Sequence, residues 1–134
     1  MNVRDSGSLP VRIEQDVVLA RQLARKLAGE CGMRLVDLTK LVTAVSELAR
    51  NTVVYGRGGD MDWQVLEDFG RVGLRLHFRD EGPGIPDIGL ALTDGWTSGG
   101  GMGLGLTGAR RLVDEFELDT APGEGTRVTI TRWA

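Results

Sequence analysis

Three groups of residues have the types and spacing to do chemistry. In "SELARNTVVYG", residues 46–56, Glu47 and Asn51 stand at i and i+4, so on a helix both side chains share one edge. An amide oxygen is a hard ligand suited to magnesium, which takes few protein ligands besides substrate phosphates. A carboxylate one turn earlier is placed to orient or deprotonate a hydroxyl attacking a γ-phosphate. A solvated helix edge carries the same pair, and the spacing alone leaves both readings open.

The second group is "RDEGPGIPD", residues 79–87, where Gly82 and Gly84 permit close backbone approach or a positive φ after Asp80. A carboxylate at Asp80 can accept a hydrogen bond from the exocyclic amine of adenine. Guanine offers an oxygen at that place and would leave the carboxylate unpaired. As an isolated pattern, D-x-G-x-G is equally an ordinary turn. The third group is "SGGGMGLGLTGARR", residues 98–111, a glycine run leading into a helix. Such a run aims backbone N–H groups and a helix N-terminus at an anion. No Gly-Lys-Ser/Thr follows, so it is not a Walker loop, and no strand directly precedes it as a dinucleotide fingerprint requires. A flexible linker is the alternative.

These residues need elements to hold them. An alternating stretch at 10–15 predicts a first strand. Asp16 is expected to cap a helix whose stripe is Val17, Leu19, Ala20, Leu23 and Leu27, with Gly32 just past its end. Periodicity predicts a second helix over 36–54, with Leu38, Leu41, Val42, Val45, Leu48, Ala49, Thr52 and Val53 buried. Residues 61–67 and 72–79 read as a hairpin around 68–71. A short helix is expected at 87–92, and a third main helix over 104–115 that buries Leu106, Leu112, Val113 and Phe116. "FELDT" and "TRVTITRW" read as a closing hairpin over "APGEG". One-sided strands and helices predict an α+β two-layer sandwich: a mostly antiparallel sheet with helices packed on one face.

The 134 residues fit one domain, and 41% hydrophobic with 26% charged residues is an ordinary globular composition. A net charge of -3 argues against a nucleic-acid partner, because phosphate binding favours a basic face. Cys31 is the one cysteine, which excludes an internal disulfide framework and suits a reducing compartment. No stretch approaches the ~20 apolar residues of a membrane span, and the first residues hold no apolar run of signal-peptide type. A cytoplasmic location without a membrane partner is therefore expected.

In order along the chain, a base with a metal ligand, an adenine reader and a phosphate cradle resemble the Bergerat-fold ATP-binding domains. Gyrase, heat-shock chaperones, sensor histidine kinases and anti-sigma serine kinases share that fold. "ELARN" is similar to the family's N box, which implies Glu47 as base and Asn51 as magnesium ligand. "DEGPG" and "GMGLGL" resemble its two glycine boxes. They imply ATP contacts at Asp80, Gly82, Gly84, Ile85, Gly101, Gly103, Leu104, Gly105 and Leu106. Thr126 in "GEGTRVTI" follows a tight turn, where its hydroxyl could support Asp80 through a water.

Longer stretches narrow the resemblance. "TAVSELARNTVVYGRGG", "DEGPGIPDI", "DGWTSGGGMGLGLTGARRLVDEF" and "EGTRVTI" are similar to the RsbT-type switch kinases. That resemblance implies a single ATP-binding kinase domain using ATP and Mg2+. Its phosphoacceptors are STAS-domain partners of the stressosome; once released, it activates a PP2C-type phosphatase that controls a sigma factor or other output. One departure is plain: no lysine or arginine lies between Arg79 and Arg110. Val54 also stands where sensor histidine kinases often carry a basic residue. Phosphate charge then falls to magnesium, backbone amides and Arg50, whose other reading is a solvated helix arginine. Tyr55 packs either beside the nucleotide or in the core. His77 is expected on the sheet surface, and Cys31 is expected to be unreactive.

Two further functions compete. An anti-sigma-type module would use ATP as a structural ligand to hold a partner, with little or no phosphotransfer. The catalytic fragment of a sensor histidine kinase is disfavoured, because no histidine-bearing helix precedes the ATP site and the chain starts a few residues before its first strand.

Overall fold

A computed structural model describes residues 1–84 and 104–134. Its elements are β1 (Asn2–Val11), α1 (Glu14–Glu30), α2 (Leu35–Val54), β2 (Gly59–Asp68), β3 (Arg71–Asp80), α3 (Leu104–Arg111), β4 (Glu115–Thr120) and β5 (Thr126–Trp133). The strands form one sheet in the order β1-β2-β3-β5-β4, every neighbouring pair antiparallel. Met61, Leu74, Leu76, Phe78, Val128 and Ile130 form its inner face and join the buried residues of the helices in one core. The opposite face carries polar rows such as Asp62, His77 and Thr129, where the His77 imidazole meets the Thr129 hydroxyl. The expected two-layer α+β arrangement is the one observed.

Several boundaries differ from expectation, each for a local reason. The first strand spans 2–11, not 10–15. Its sequence, "NVRDSGSLPV", has little apolar alternation, and it is held as an edge strand by its ladder to β2, a place where Pro10 is tolerated. Asp16 does not cap α1 as its first flanking residue. It lies inside the first turn and reaches back, its carboxylate accepting from the amides of Arg12 at 2.9 Å and Ile13 at 3.2 Å. This pulls the helix start back to Glu14, and the buried stripe becomes Val17, Ala20, Ala24, Leu27 and Ala28, leaving Leu19 40% exposed. Gly32 ends the helix with φ 86°, as expected, and Met33 N–H donates to Ala28 O.

The second helix and the β2–β3 hairpin match their expected faces: Leu38, Leu41, Val42, Val45, Leu48, Ala49 and Thr52 are buried, and Val53 packs against the core. The third helix stops at Arg111, four residues short of the expected end. Nothing in "LVDEF" breaks a helix. The sheet does: Asp114 N–H donates to Thr131 O at 2.9 Å, and its carboxylate accepts from Trp133 N–H at 2.7 Å. The short helix expected at 87–92 lies outside the described residues.

Candidate functional site

Four segments meet where β3 ends. The C-terminal part of α2 brings Leu48, Asn51 and Thr52; β3 brings Phe78 and Asp80; α3 brings Leu106; and β5 brings Thr126 and Val128. Together they line a cavity of about 20 Å³. That is room for about one water, far below the ~300 Å³ at which ligand pockets begin. The described cavity is thus the floor of a site and does not itself hold a base.

Asp80 is the best-defined group in it. Its Oδ1 accepts from Gly82 N–H at 2.9 Å and from Thr126 N–H at 3.2 Å. Its Oδ2 has no hydrogen-bond partner among the described residues and lies against Gly56, where a Cβ would collide with the carboxyl. No arginine or lysine pairs with it among the described residues. Burial pushes the carboxyl above its ordinary value, opposed by the Gly82 and Thr126 amides. One oxygen is therefore fixed by backbone and the other can accept a donor from a ligand.

The glycines expected beside Asp80 are explained by chain packing. A Cβ on Gly82 would come within 2.8 Å of Gly56 Cα, and Gly84 has φ 74°. Thr126 donates its amide N–H to Asp80 Oδ1 at 3.2 Å. Its hydroxyl faces Thr120 Oγ1 at 3.0 Å.

The helix-edge residues divide. Asn51 is half-buried and lines the cavity, while its carbonyl accepts from Tyr55 N–H at 2.9 Å and Gly56 N–H at 3.0 Å. Glu47 is exposed one turn earlier and does not line the cavity. Arg50 is exposed as well and lies 3.6 Å from Glu14 at the start of α1. Tyr55 caps the end of α2, half-buried and outside the lining. Leu104 and Gly105 open α3, and Leu106 is buried in the cavity wall. Ile85, Gly101 and Gly103 lie outside the described residues.

Sequence reasoning missed Gly56, which makes room for the Asp80 carboxyl, because "GRGG" reads only as the end of a helix. It counted Leu48 as ordinary core, and the floor of a site is also core by periodicity. Among the described residues, no group of three His, Cys, Asp or Glu side chains is placed to hold a metal. A magnesium ion here would rest on Asn51 and the phosphates of a nucleotide, which is how that ion is commonly held. Cys31, far from the site, is buried with its thiol near Gly73 O; burial, then Glu30, raises its pKa, with Arg4 opposing. It is a poor nucleophile at neutral pH.

Residues 36–133 match the family described as histidine kinase-, DNA gyrase B-, and HSP90-like ATPase. The chain is 42% identical over 131 residues to the serine/threonine-protein kinase RsbT of Bacillus subtilis (strain 168), covering 98% of each. It is 27% identical over 123 residues to the anti-sigma F factor of Thermoanaerobacter sp. (strain X514), covering 89% of this chain and 86% of that protein. A crystal structure of the RsbU and RsbW domains of a Mycobacterium tuberculosis protein superposes with TM-score 0.63 at 20% identity. That match covers 96% of this chain but 32% of the other, and it bears on the fold alone. No helix among the described residues is long and apolar enough to cross a membrane. The chain belongs to the histidine kinase-, DNA gyrase B- and HSP90-like ATPase family and, within it, to the RsbT-type serine/threonine-protein kinases.

Proposed function

We propose that residues 1–134 form one ATP-binding kinase domain that phosphorylates serine or threonine on STAS-domain partner proteins. Once released from them, it binds and activates a PP2C-type phosphatase regulator. The observation that carries this reading is the convergence of Asn51, Asp80, Leu106 and Thr126, from four separate segments, on one cavity. Asp80 Oδ2 accepts the adenine amine, between apolar walls that include Phe78 and Val128. Asn51 offers its amide oxygen to magnesium, which supplies charge neutralisation at the phosphates when bound. Glu47, exposed on the same helix edge, takes the proton of the attacking hydroxyl. Amides at Gly101, Gly103 and Gly105 hold the phosphates.

The alternative is an anti-sigma-type module that binds ATP and a partner with little phosphotransfer. It draws on the similarity to anti-sigma F factors and on the position of Glu47 outside the cavity lining. Incubation with γ-labelled ATP, magnesium and a STAS-domain protein separates the two. The kinase reading expects alkali-sensitive, acid-stable phosphate on the STAS protein. Binding of ATP and partner without transfer would favour the module, and acid-labile phosphate would indicate a histidine kinase.

A further inference from the structure

Arginine is kept at two places near the end of α2 where local physics argues against it. Arg57 has φ 60°, a left-handed backbone that a long side chain rarely adopts, between Gly56 and Gly58. Glycine or asparagine would hold that turn at less cost. Arg79 on β3 and Arg127 on β5 are register partners in adjacent antiparallel strands. Like charges directly opposite one another repel and weaken the ladder. The whole chain has a net charge of -3, so this concentration of cations is local and does not follow from general basicity.

Both anomalies face one basin. Arg12, Arg57, Arg79 and Arg127 line a depression of about 310 Å³ beside the turn at 56–59. Gly58 brings Arg12 to that turn: a Cβ there would stand 3.4 Å from Arg12 Cα. Asp60 engages two of the arginines, at 3.5 Å from Arg12 and 3.9 Å from Arg79, and Arg79 also holds Asp62 at 2.9 Å. Arg57 and Arg127 meet no carboxylate among the described residues. The other acidic residues of the lining do not neutralise them. Asp80 is bonded through Oδ1 to the amides of Gly82 and Thr126, and exposed Glu81 makes no ion pair among the described residues. Asp80 is the one residue that lines both this basin and the cavity floor, so the basin is a second concavity next to it.

We propose that this basin binds a phosphate dianion, either inorganic phosphate or the phosphate of a phosphorylated side chain. Its charge follows from the pairing: Arg57 and Arg127 are left without carboxylates, and one doubly negative group neutralises both. The guanidinium fork matches phosphate oxygens in bidentate geometry, which suits arginine at every cationic position of the lining. A dianion between Arg79 and Arg127 turns their repulsion into a shared attraction, and it gives Arg57 a ligand for its costly backbone. The volume is that at which ligand pockets begin, enough for a phosphate and the adjoining part of an ester. None of these arginines lines the cavity floor, and the kinase reading holds the nucleotide's own phosphates at residues 101–105. The basin therefore does not depend on that reading.

The test follows backbone amide resonances of the wild-type chain, Arg57→Asn and Arg127→Gln during titration with inorganic phosphate, with ionic strength held constant by sodium chloride. In wild type the amides of Arg57, Gly58, Gly59 and Arg127 should shift along a saturable curve, while acetate at the same ionic strength leaves them in place. Each substitution should weaken the binding read at these amides by roughly tenfold or more. Asparagine tolerates the left-handed backbone, and glutamine removes the like-charge pair, so both variants should keep or raise Tm without phosphate. Doubly blocked phosphoserine, titrated in the same way, separates the sources. Tighter binding than inorganic phosphate supports a phosphorylated side chain, and equal or weaker binding supports free phosphate. Shifts confined to residues 104–107, an equal response to acetate, or unchanged affinity in both variants overturns the proposal. A fall in Tm in both variants also overturns it, since the arginines would then serve the fold.

Discussion

Asp37 and Asp80 are both half-buried carboxylates, one in the first turn of α2 and the other at the end of β3, and the chain treats them oppositely. Asp37 accepts from Arg132 at 2.6 Å and from Arg34 at 3.4 Å, and Arg132 also donates to Leu112 O at 2.8 Å. One ionic joint thereby ties the start of α2 to β5 and to the chain just past α3. The Arg132 hydrogen bond, with Arg34 assisting, holds the Asp37 carboxyl below the usual carboxylate range against the opposing effect of desolvation. Among the described residues Asp80 meets no cation and two amides, both on one oxygen, and burial raises its pKa. A carboxylate that no cation pairs among the described residues, half-buried beside a cavity, fits a group reserved for a ligand. A carboxylate held by two arginines is committed to the fold.

This contrast can be broken or sharpened by substitution, and the largest effect belongs to the residue outside the cavity. Glu47→Gln preserves helix propensity and shape but removes the base. Phosphorylation of the STAS partner should fall ~100- to 10,000-fold while ATP affinity stays within a few-fold. Normal transfer by this variant would make Glu47 a solvated edge residue. Next comes Asp80→Asn, which keeps an acceptor for Gly82 and Thr126 but turns a donor toward the adenine amine. ATP affinity should drop roughly a hundredfold by calorimetry, with Tm unchanged or higher because a buried charge is gone. A lower Tm with ATP affinity intact would reverse the roles assigned to the two aspartates.

Two smaller effects follow. As pH falls through the raised pKa of Asp80, its acceptor is lost and ATP affinity should decline, beginning above the ordinary carboxylate value of about 3.9. Stability from the same group runs the other way, since the folded state binds its proton more tightly and stability falls as pH rises through that interval. Asp37 has the opposite sign: its contribution is present above the unfolded value and is lost as pH falls through the depressed folded value. Asp37→Asn should accordingly lower Tm at neutral pH by a few degrees and leave ATP affinity alone. Loss of ATP affinity in that variant would mean the joint reaches the site through α3. Finally, ATP should change amide exchange at Leu106 and Thr107, because Leu106 lines the cavity beside Asp80; unchanged exchange there would place the base elsewhere.

The sequence carried the architecture well where one periodicity governs a segment. The buried face of α2 and the hairpin of β2 and β3 were legible because their apolar residues repeat at a single period. The start of α1 and the end of α3 were not. They are set by a carboxylate reaching back to Arg12 and Ile13, and by Asp114 bonding into the sheet, neither of which leaves a period. In the site, Asp80, Asn51, Leu106 and Thr126 were legible as types and spacings, and the structure brings all four to one cavity. Which oxygen of Asp80 the described backbone amides hold, and that Gly56 lies against the other, depended on three-dimensional contact between α2's end and β3.

The most direct test of the central claim is a calorimetric titration of the wild-type chain with ATP and then GTP in the presence of magnesium. The Asp80 geometry predicts that ATP binds at least roughly a hundredfold tighter, because guanine would present an oxygen to a carboxylate oxygen that meets no donor among the described residues. Equal affinities would contradict it, and with it the assignment of Asp80 as the residue that reads the base.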